Sequence, residues 1–263
     1  MGPRHEGPLI ETDQALVSRL AAAGCVRPED EAEALRRGAP DQATLAAWVA
    51  RREEGEPLAW ITGTTLFCGH TLRVEPGVYV PRPQTEELAR RAATLLGAKG
   101  MRAADLCTGA GAIAVHLQAE VPSATVVAAD LDLGAVGCAR RNGVPAIVDD
   151  VGHALRAEAF DVVTAVPPYV PTAELSVLPS DVQRFEPRRA LDGGPDGLDV
   201  ARRLVASAGR LLRPGGWLLL EVGADQDRVL EPALDAAGFG VASTWADDDD
   251  DLRGLAARLE GRR

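Results

Sequence analysis

Lysine is almost missing from this chain: there is one, Lys99, in 263 residues. Positive charge as a whole is in deficit. Lys and Arg total 28 against 39 Asp and Glu, giving a formal net charge of −11. An acidic chain is repelled by nucleic-acid phosphates, so tight non-specific DNA or RNA binding is not expected, although a local basic patch stays open. Cysteine is scarce and scattered. Cys25, Cys68, Cys107 and Cys138 form no CxxC pair, so neither a disulfide framework nor a zinc site is expected, and a reducing cytoplasm is the expected compartment. No apolar run is long enough to span a membrane. The opening Met1-Gly-Pro-Arg-His-Glu-Gly lacks the apolar stretch of a signal peptide. Internal repeats are absent.

Hydrophobic residues make up 46% of the chain, ample for a core, in one large domain or a small one plus a medium one. The first sixty residues are rich in Ala, Leu, Arg and Glu with helix punctuation. Pro28 to Gly38 carries proline and acids in its first turn and arginines in its last, an order that suits the helix dipole. A helix from about Glu11 to Ala23 precedes it. Another follows from Asp41 to Glu54, with Leu45, Trp48 and Val49 on one stripe. Residues 1–57 are therefore expected to form a helical domain, serving either as scaffold or for docking a partner. Ile61 to Val74 alternates around glycine turns like a hairpin, and Pro81 and Pro83 hold the next segment extended. Residues 58–83 read as a β-hairpin linker, and a helix follows from Gln84 to about Leu96.

After Gly100 strands and helices alternate. Strands are expected at 102–106, 124–129, 144–148, 160–166, 216–222, 239–245 and 254–259. Helices are expected at 111–120, 132–142, 197–212 and 225–237. This pattern predicts an α/β domain over 84–263, doubly wound around a mainly parallel seven-stranded sheet. The run Asp247 to Asp251 reads as a solvated loop between the last two strands.

Asp105-Leu-Cys-Thr-Gly-Ala-Gly111 follows the first of these strands and opens a helix. Gly109 and Gly111 permit a tight turn and close approach of a ligand to backbone. Asp130 ends the second strand, where a carboxylate can accept from both ribose hydroxyls. Asp149 and Asp150 end the third, where either can accept from an adenine amino group. The loop is not a full GxGxxG, because Cys107 stands at the first glycine, and there is no Walker lysine. These features favour S-adenosylmethionine over NAD or ATP. The expected cofactor-binding residues are Asp105, Cys107, Thr108, Gly109, Ala110, Gly111, Asp130, Asp150 and Thr85. Thr85 and Glu86 either close over the cofactor or cap a helix. Glu221 ends a strand near this site, in a functional or a buried hydrogen-bonding role. His70, His116 and His153 lack partners at ligand spacing in the sequence and read as surface or structural residues, so no metal is expected.

Val166-Pro167-Pro168-Tyr169 follows the strand at 160–166. A Pro-Pro turn ending in tyrosine makes a stiff shelf of backbone carbonyls beside an aromatic face. Such a shelf can hold a flat, weakly nucleophilic amide or amine in line for attack. These four residues are the expected methyl-acceptor site.

Together these segments resemble the HemK/PrmC family of protein-glutamine methyltransferases over nearly the whole chain. Gly55 to Gly63 resembles that family's link from helical domain to hairpin. Val74 to Glu86 resembles its proline-rich entry segment PRPETE, with Gln84 in place of glutamate. Asp105 to Gly111 is similar to its DLGTGSG loop, Phe185 to Asp199 to the segment after its active site, and Leu211 to Gly223 to its fifth strand. The resemblance implies a class I S-adenosylmethionine-dependent methyltransferase. It implies methylation of a glutamine side-chain amide exposed on a protein partner such as a release factor or ribosomal protein. In the family an asparagine stands at Val166, giving NPPY. Its side-chain oxygen and an adjacent backbone carbonyl accept the two amide N–H groups and aim the nitrogen, so that catalysis is mostly positioning. Valine has no acceptor. Methylation of a small-molecule nucleophile, and a non-catalytic module that binds the cofactor, therefore stay open. Nucleic-acid adenine methyltransferases use a similar tetrapeptide, but the acidic charge and the apolar Val166 argue against them.

Overall fold

The computed structural model describes residues 13–97 and 100–260. The chain start, the first residues of the helix expected from Glu11, and Lys99 lie outside them. Three helices open the described chain: α1 (Asp13–Ala22), α2 (Pro28–Gly38) and α3 (Gln42–Glu53). Proline and three acids sit in the first turn of α2, and Arg36 and Arg37 in its last, complementing the dipole. Asp41 caps α3 by accepting from Thr44 N–H at 2.7 Å. The apolar faces meet in a core of their own around Leu16, Leu20, Leu35, Leu45 and Val49, while Trp48 is only partly buried against it.

A short helix that the sequence pattern does not predict, α4 (Leu58–Thr62), comes next. Gly63 ends it in the left-handed region at φ 75°. The hairpin is β1 (Thr64–Phe67) and β2 (His70–Arg73), paired antiparallel and shorter than expected because α4 takes up its first residues. Two sets of contacts fix this unit to the α/β domain and its entry segment. Trp60 Nε1 donates to Val78 O at 2.9 Å. Asn142 accepts from Arg73 N–H at 2.8 Å and donates to the carbonyls of Arg73 at 2.9 Å and Ala110 at 2.8 Å.

After α5 (Thr85–Leu95), the elements are β3 (Arg102–Leu106), α6 (Ala112–Glu120), β4 (Thr125–Asp130), α7 (Leu133–Arg141), β5 (Ala146–Val148) and β6 (Phe160–Ala165). They continue through α8 (Ser180–Phe185), α9 (Asp199–Leu211), β7 (Leu212–Glu221), α10 (Gln226–Ala236), β8 (Phe239–Ala246) and β9 (Leu252–Leu259). The seven-stranded sheet has the order β5-β4-β3-β6-β7-β9-β8. Its first five strands are parallel, and β9 is antiparallel to both β7 and β8. The expected doubly wound sheet is therefore present. β7 begins four residues earlier than expected, at Leu212, which pairs with Phe160 ahead of a register irregularity.

The placement of the site follows from this order. The chain steps outward from β3 through β4 to β5, then returns to lay β6 on the other side of β3. Leu106 and Ala165, the last residues of β3 and β6, are paired. The loops after them leave the sheet side by side at its topological switch point, where α/β sheets bind ligands. Between β6 and α9 lie α8 and two 3₁₀ turns, Thr172–Val177 and Arg188–Ala190. The sequence pattern predicts none of the three. Each is at most six residues long and starts after a proline: Pro171, Pro179 and Pro187. Such pieces are too short to show a helical period.

Candidate functional site

The loop leaving β3 turns sharply because three of its residues are left-handed: Cys107 (φ 53°), Gly109 (φ 55°) and Gly111 (φ 85°). Gly111 also packs tightly, since a Cβ there would stand 3.1 Å from Ala139 Cβ and 3.3 Å from its Cα on α7. Gly109 faces open space, so a ligand can reach its backbone. Cys107, Thr108, Gly109 and Ala110 all line one cleft at the sheet edge.

Two acids brace this loop. Asp105 is buried, accepting from Thr108 Oγ1 at 2.5 Å and Thr164 Oγ1 at 2.8 Å. Burial pushes its carboxyl up to about 6 against the two hydroxyls. Both oxygens are thus engaged within the protein, and Asp105 lines the cleft as a support of the loop. Asp130 Oδ2 accepts from Gly109 N–H at 2.9 Å, and Oδ1 from Asp132 N–H at 2.9 Å. Each oxygen keeps a further lone pair for a ligand hydroxyl. Burial raises this carboxyl too, opposed by those N–H groups. At the end of β5 the neighbouring acids differ. Asp149 is buried, with Oδ1 accepting from Ala154 N–H at 3.0 Å and Oδ2 unpartnered. Asp150 is half-exposed and ion-paired with Arg203 of α9. Both line the cleft.

The shelf after β6 forms the opposite wall. Pro167 and Pro168 are buried, and Val166 and Tyr169 are partly buried. All four line the cleft. The carbonyls of this turn divide into two groups. Pro168 O and Tyr169 O face the segment at 193–199, and Gln226 Nε2 donates to Tyr169 O at 2.8 Å. The carbonyls of Val166 and Pro167 have no donor among the described residues.

A buried polar chain closes the cleft. Thr85 Oγ1 donates to Glu221 Oε2 at 2.6 Å. The Tyr169 hydroxyl approaches the same carboxyl, whose Oε1 has no partner of full hydrogen-bond geometry. Burial raises both the Glu221 carboxyl and the Tyr169 phenol. Thr85 is thus the first residue of α5 facing the cleft, and its hydroxyl goes to Glu221 rather than to a helix cap. Glu86 turns away: it accepts from Cys68 N–H at 2.8 Å and pairs with Arg90.

Tyr79 and Arg82 line the cleft and Glu186 is ion-paired with Arg82, yet none of the three stands out as a site residue in the sequence pattern. The guanidinium of Arg82 lies 5.0 Å from the centre of the Tyr79 ring and forms an ion pair with buried Glu186. The chain's two tyrosines, Tyr79 and Tyr169, therefore both line the cleft. The available signal was a charge in each of two motifs, Arg82 in PRPQTE and Glu186 in EPRRALDGG. The pair joins those motifs across 104 residues. The structure also brings together two histidines that the sequence shows as partnerless. His70 and His116 have ring centres 5.7 Å apart and are not part of the cleft lining.

The family model for the methyltransferase small domain matches residues 83–179. The release factor glutamine methyltransferase of Moorella thermoacetica is 40% identical over 249 residues, covering 84% of this chain and 88% of that protein. The protein of the same name from Geobacter sulfurreducens is 38% identical over 218 residues, covering 80% and 76%. The ribosomal protein L11 methylase of Lactobacillus delbrueckii subsp. bulgaricus superposes with a TM-score of 0.52 at 16% identity, covering 72% of this chain and 86% of that one. At that identity the likeness is one of fold.

Proposed function

Because the chain belongs to the release factor glutamine methyltransferase (HemK/PrmC) family, we propose that it transfers a methyl group from S-adenosylmethionine to the side-chain amide of a glutamine exposed on a protein, with a release factor as the target. The observation that carries this reading is the juxtaposition of the glycine loop and the Val166–Tyr169 shelf on paired strand ends.

The residues present fit the cofactor. Asp130 keeps lone pairs for two ribose hydroxyls. Asp149 has an orphaned buried oxygen and Asp150 a half-exposed carboxylate for an adenine amino group. Open space at Gly109 leaves backbone within reach. S-adenosylmethionine supplies an electrophilic methyl group on a sulfonium. The rest of the chemistry is positioning. The Val166 and Pro167 carbonyls are free to accept the amide N–H groups, and the Tyr169 ring offers a flat face beside them. The ion-paired Arg82 and Glu186 and the Thr85–Glu221 pair hold the entry segment and shelf in place. A neutral amide needs no base before attack, only a lone pair aimed at the methyl carbon; the surplus proton then leaves the methylated nitrogen to water.

The helical unit at 1–57 serves as the docking domain for the protein substrate. In support, its described part reaches the segment beyond the shelf: Arg184 Nη1 donates to Glu54 O at 3.0 Å, and in the linker that follows it Trp60 packs edge-on against Phe185 at 6.4 Å. One observation favours a second reading. Val166 offers no side-chain acceptor, which suits methylation of a small-molecule nucleophile that needs none. Incubation with methyl-labelled S-adenosylmethionine, release factors and a whole-cell lysate with its small molecules separates the two. Label in a factor glutamine supports the first reading. Label only in small molecules favours the second, and no label despite bound cofactor removes both.

A further inference from the structure

Away from the cleft, a group of side chains has no role in the methyl transfer. His70 begins β2, and His116 and Glu120 stand one turn apart on α6. One donor atom from each of these three residues lies within 4.8 Å of the others. His116 is 5% exposed, and its Nδ1 is buried without a partner; His70 Nε2 is likewise buried and unpartnered. Two such ring nitrogens side by side are costly, because each loses water and gains nothing in exchange. Glu120 is exposed and brings a carboxylate to the rim of the pair.

We propose that His70, His116 and Glu120 bind a divalent transition metal ion, zinc being the type case, and that the ion fastens the β1–β2 hairpin to α6. Two imidazoles and a carboxylate are a ligand set that zinc accepts, with water completing a tetrahedron. The donor atoms lie within 4.8 Å of one another, and Zn–N near 2.0–2.1 Å puts neighbouring ligand atoms roughly 3.3 Å apart, so side-chain rotation has to draw them together by up to roughly 1.5 Å. His116 and Glu120 share one face of α6 by their spacing of four. His70 comes from the hairpin, which has its own tie to the cofactor loop through Asn142. The ion would be a second tie, on the far end of the helix that Gly111 starts. Binding that requires the folded pairing of β2 with α6 stabilises that pairing.

The experiment uses the full chain without an affinity tag, stripped with a chelator. Zinc is titrated against a chromophoric competitor, and cobalt is added in parallel for its visible absorption. One equivalent of zinc, with a cobalt band of a low-coordinate nitrogen–oxygen site, is expected. His70→Ala changes a partly buried residue and Glu120→Gln an exposed one, and each should weaken zinc binding by roughly tenfold or more. Absence of stoichiometric binding in the parent chain overturns the proposal. So does a His70→Ala/Glu120→Gln double variant that keeps the parent affinity, which would place the ion at His153 or the Asp247–Asp251 run.

Discussion

The α-carbon of Gly197 lies so close to the carbonyl of Tyr169 that a Cβ there would stand 2.3 Å from the oxygen. Its φ is 77°, a conformation that side chains resist. Gly193 is as constrained, with a would-be Cβ 2.3 Å from Gly197 O and 2.6 Å from Pro168 O. The segment around Gly193 and Gly197 is thus a backbone brace laid against the Pro168 and Tyr169 carbonyls, and the two preceding carbonyls have no donor among the described residues. Gly197→Ala should cost roughly 2–5 kcal/mol through the left-handed strain and the overpacking together. It should also lower methyl transfer more than cofactor affinity. Urea unfolding with calorimetry checks this, and a stability change under about 0.5 kcal/mol would show that the brace yields.

Asp130 supports Gly109 and faces the cleft with its remaining lone pairs. Asp130→Ala removes the expected ribose acceptor together with a loop contact. Hydrogen bonds to a charged acceptor contribute roughly 1.5–3 kcal/mol each, so cofactor affinity should fall by about a hundredfold or more. Titration calorimetry reads this directly. An unchanged affinity would remove Asp130 from the cofactor site.

Much of this arrangement was legible in the sequence, and the exceptions have physical reasons. Glycines after β3 and acids at the ends of β4 and β5 stand out because strand ends in a parallel sheet leave few residue types free to turn and to bind. Leu45 and Val49 announced a buried face by their spacing. Glu86 did not show its target, because a carboxylate in a first helical turn looks the same whether it faces a ligand or, as here, Cys68 N–H. Arg82 with Glu186 and His70 with His116 are pairs made only by folding. No local period encodes them. Single turns begun by Pro171, Pro179 and Pro187 were likewise silent.

Asp105 should leave a mark on the pH dependence of stability. Its carboxyl is raised from 3.8 to about 6 in the folded chain. The folded state then holds the proton more tightly than the unfolded state, so the contribution of this group is fully present below about pH 4 and is lost as pH rises through about 6. At 1.36 kcal/mol per unit the loss is on the order of 3 kcal/mol. Asp105→Asn keeps an acceptor for one threonine hydroxyl and cannot titrate. Its stability should therefore vary less between about pH 4 and 6 than that of the parent chain, by denaturant unfolding at a series of pH values. Parallel curves would show that the carboxyl titrates near its ordinary value.

Val166→Asn tests the shelf itself. In the parent chain the Val166 and Pro167 carbonyls, which have no donor among the described residues, are the proposed acceptors for an amide, both on backbone and both fixed by the prolines. An asparagine side chain adds a third acceptor on the same wall, able to take one N–H while a carbonyl takes the other. One added neutral hydrogen bond contributes roughly 0.5–1.5 kcal/mol, or about two- to tenfold in binding, and better alignment of the nitrogen adds to the rate. The variant should methylate a protein glutamine faster than the parent, with little change in cofactor affinity. Steady-state rates with a release factor and calorimetry with S-adenosylmethionine separate these effects. A slower variant would mean that the valine side chain itself packs against the acceptor, and that the pocket has been shaped for a substrate group more apolar than a carboxamide.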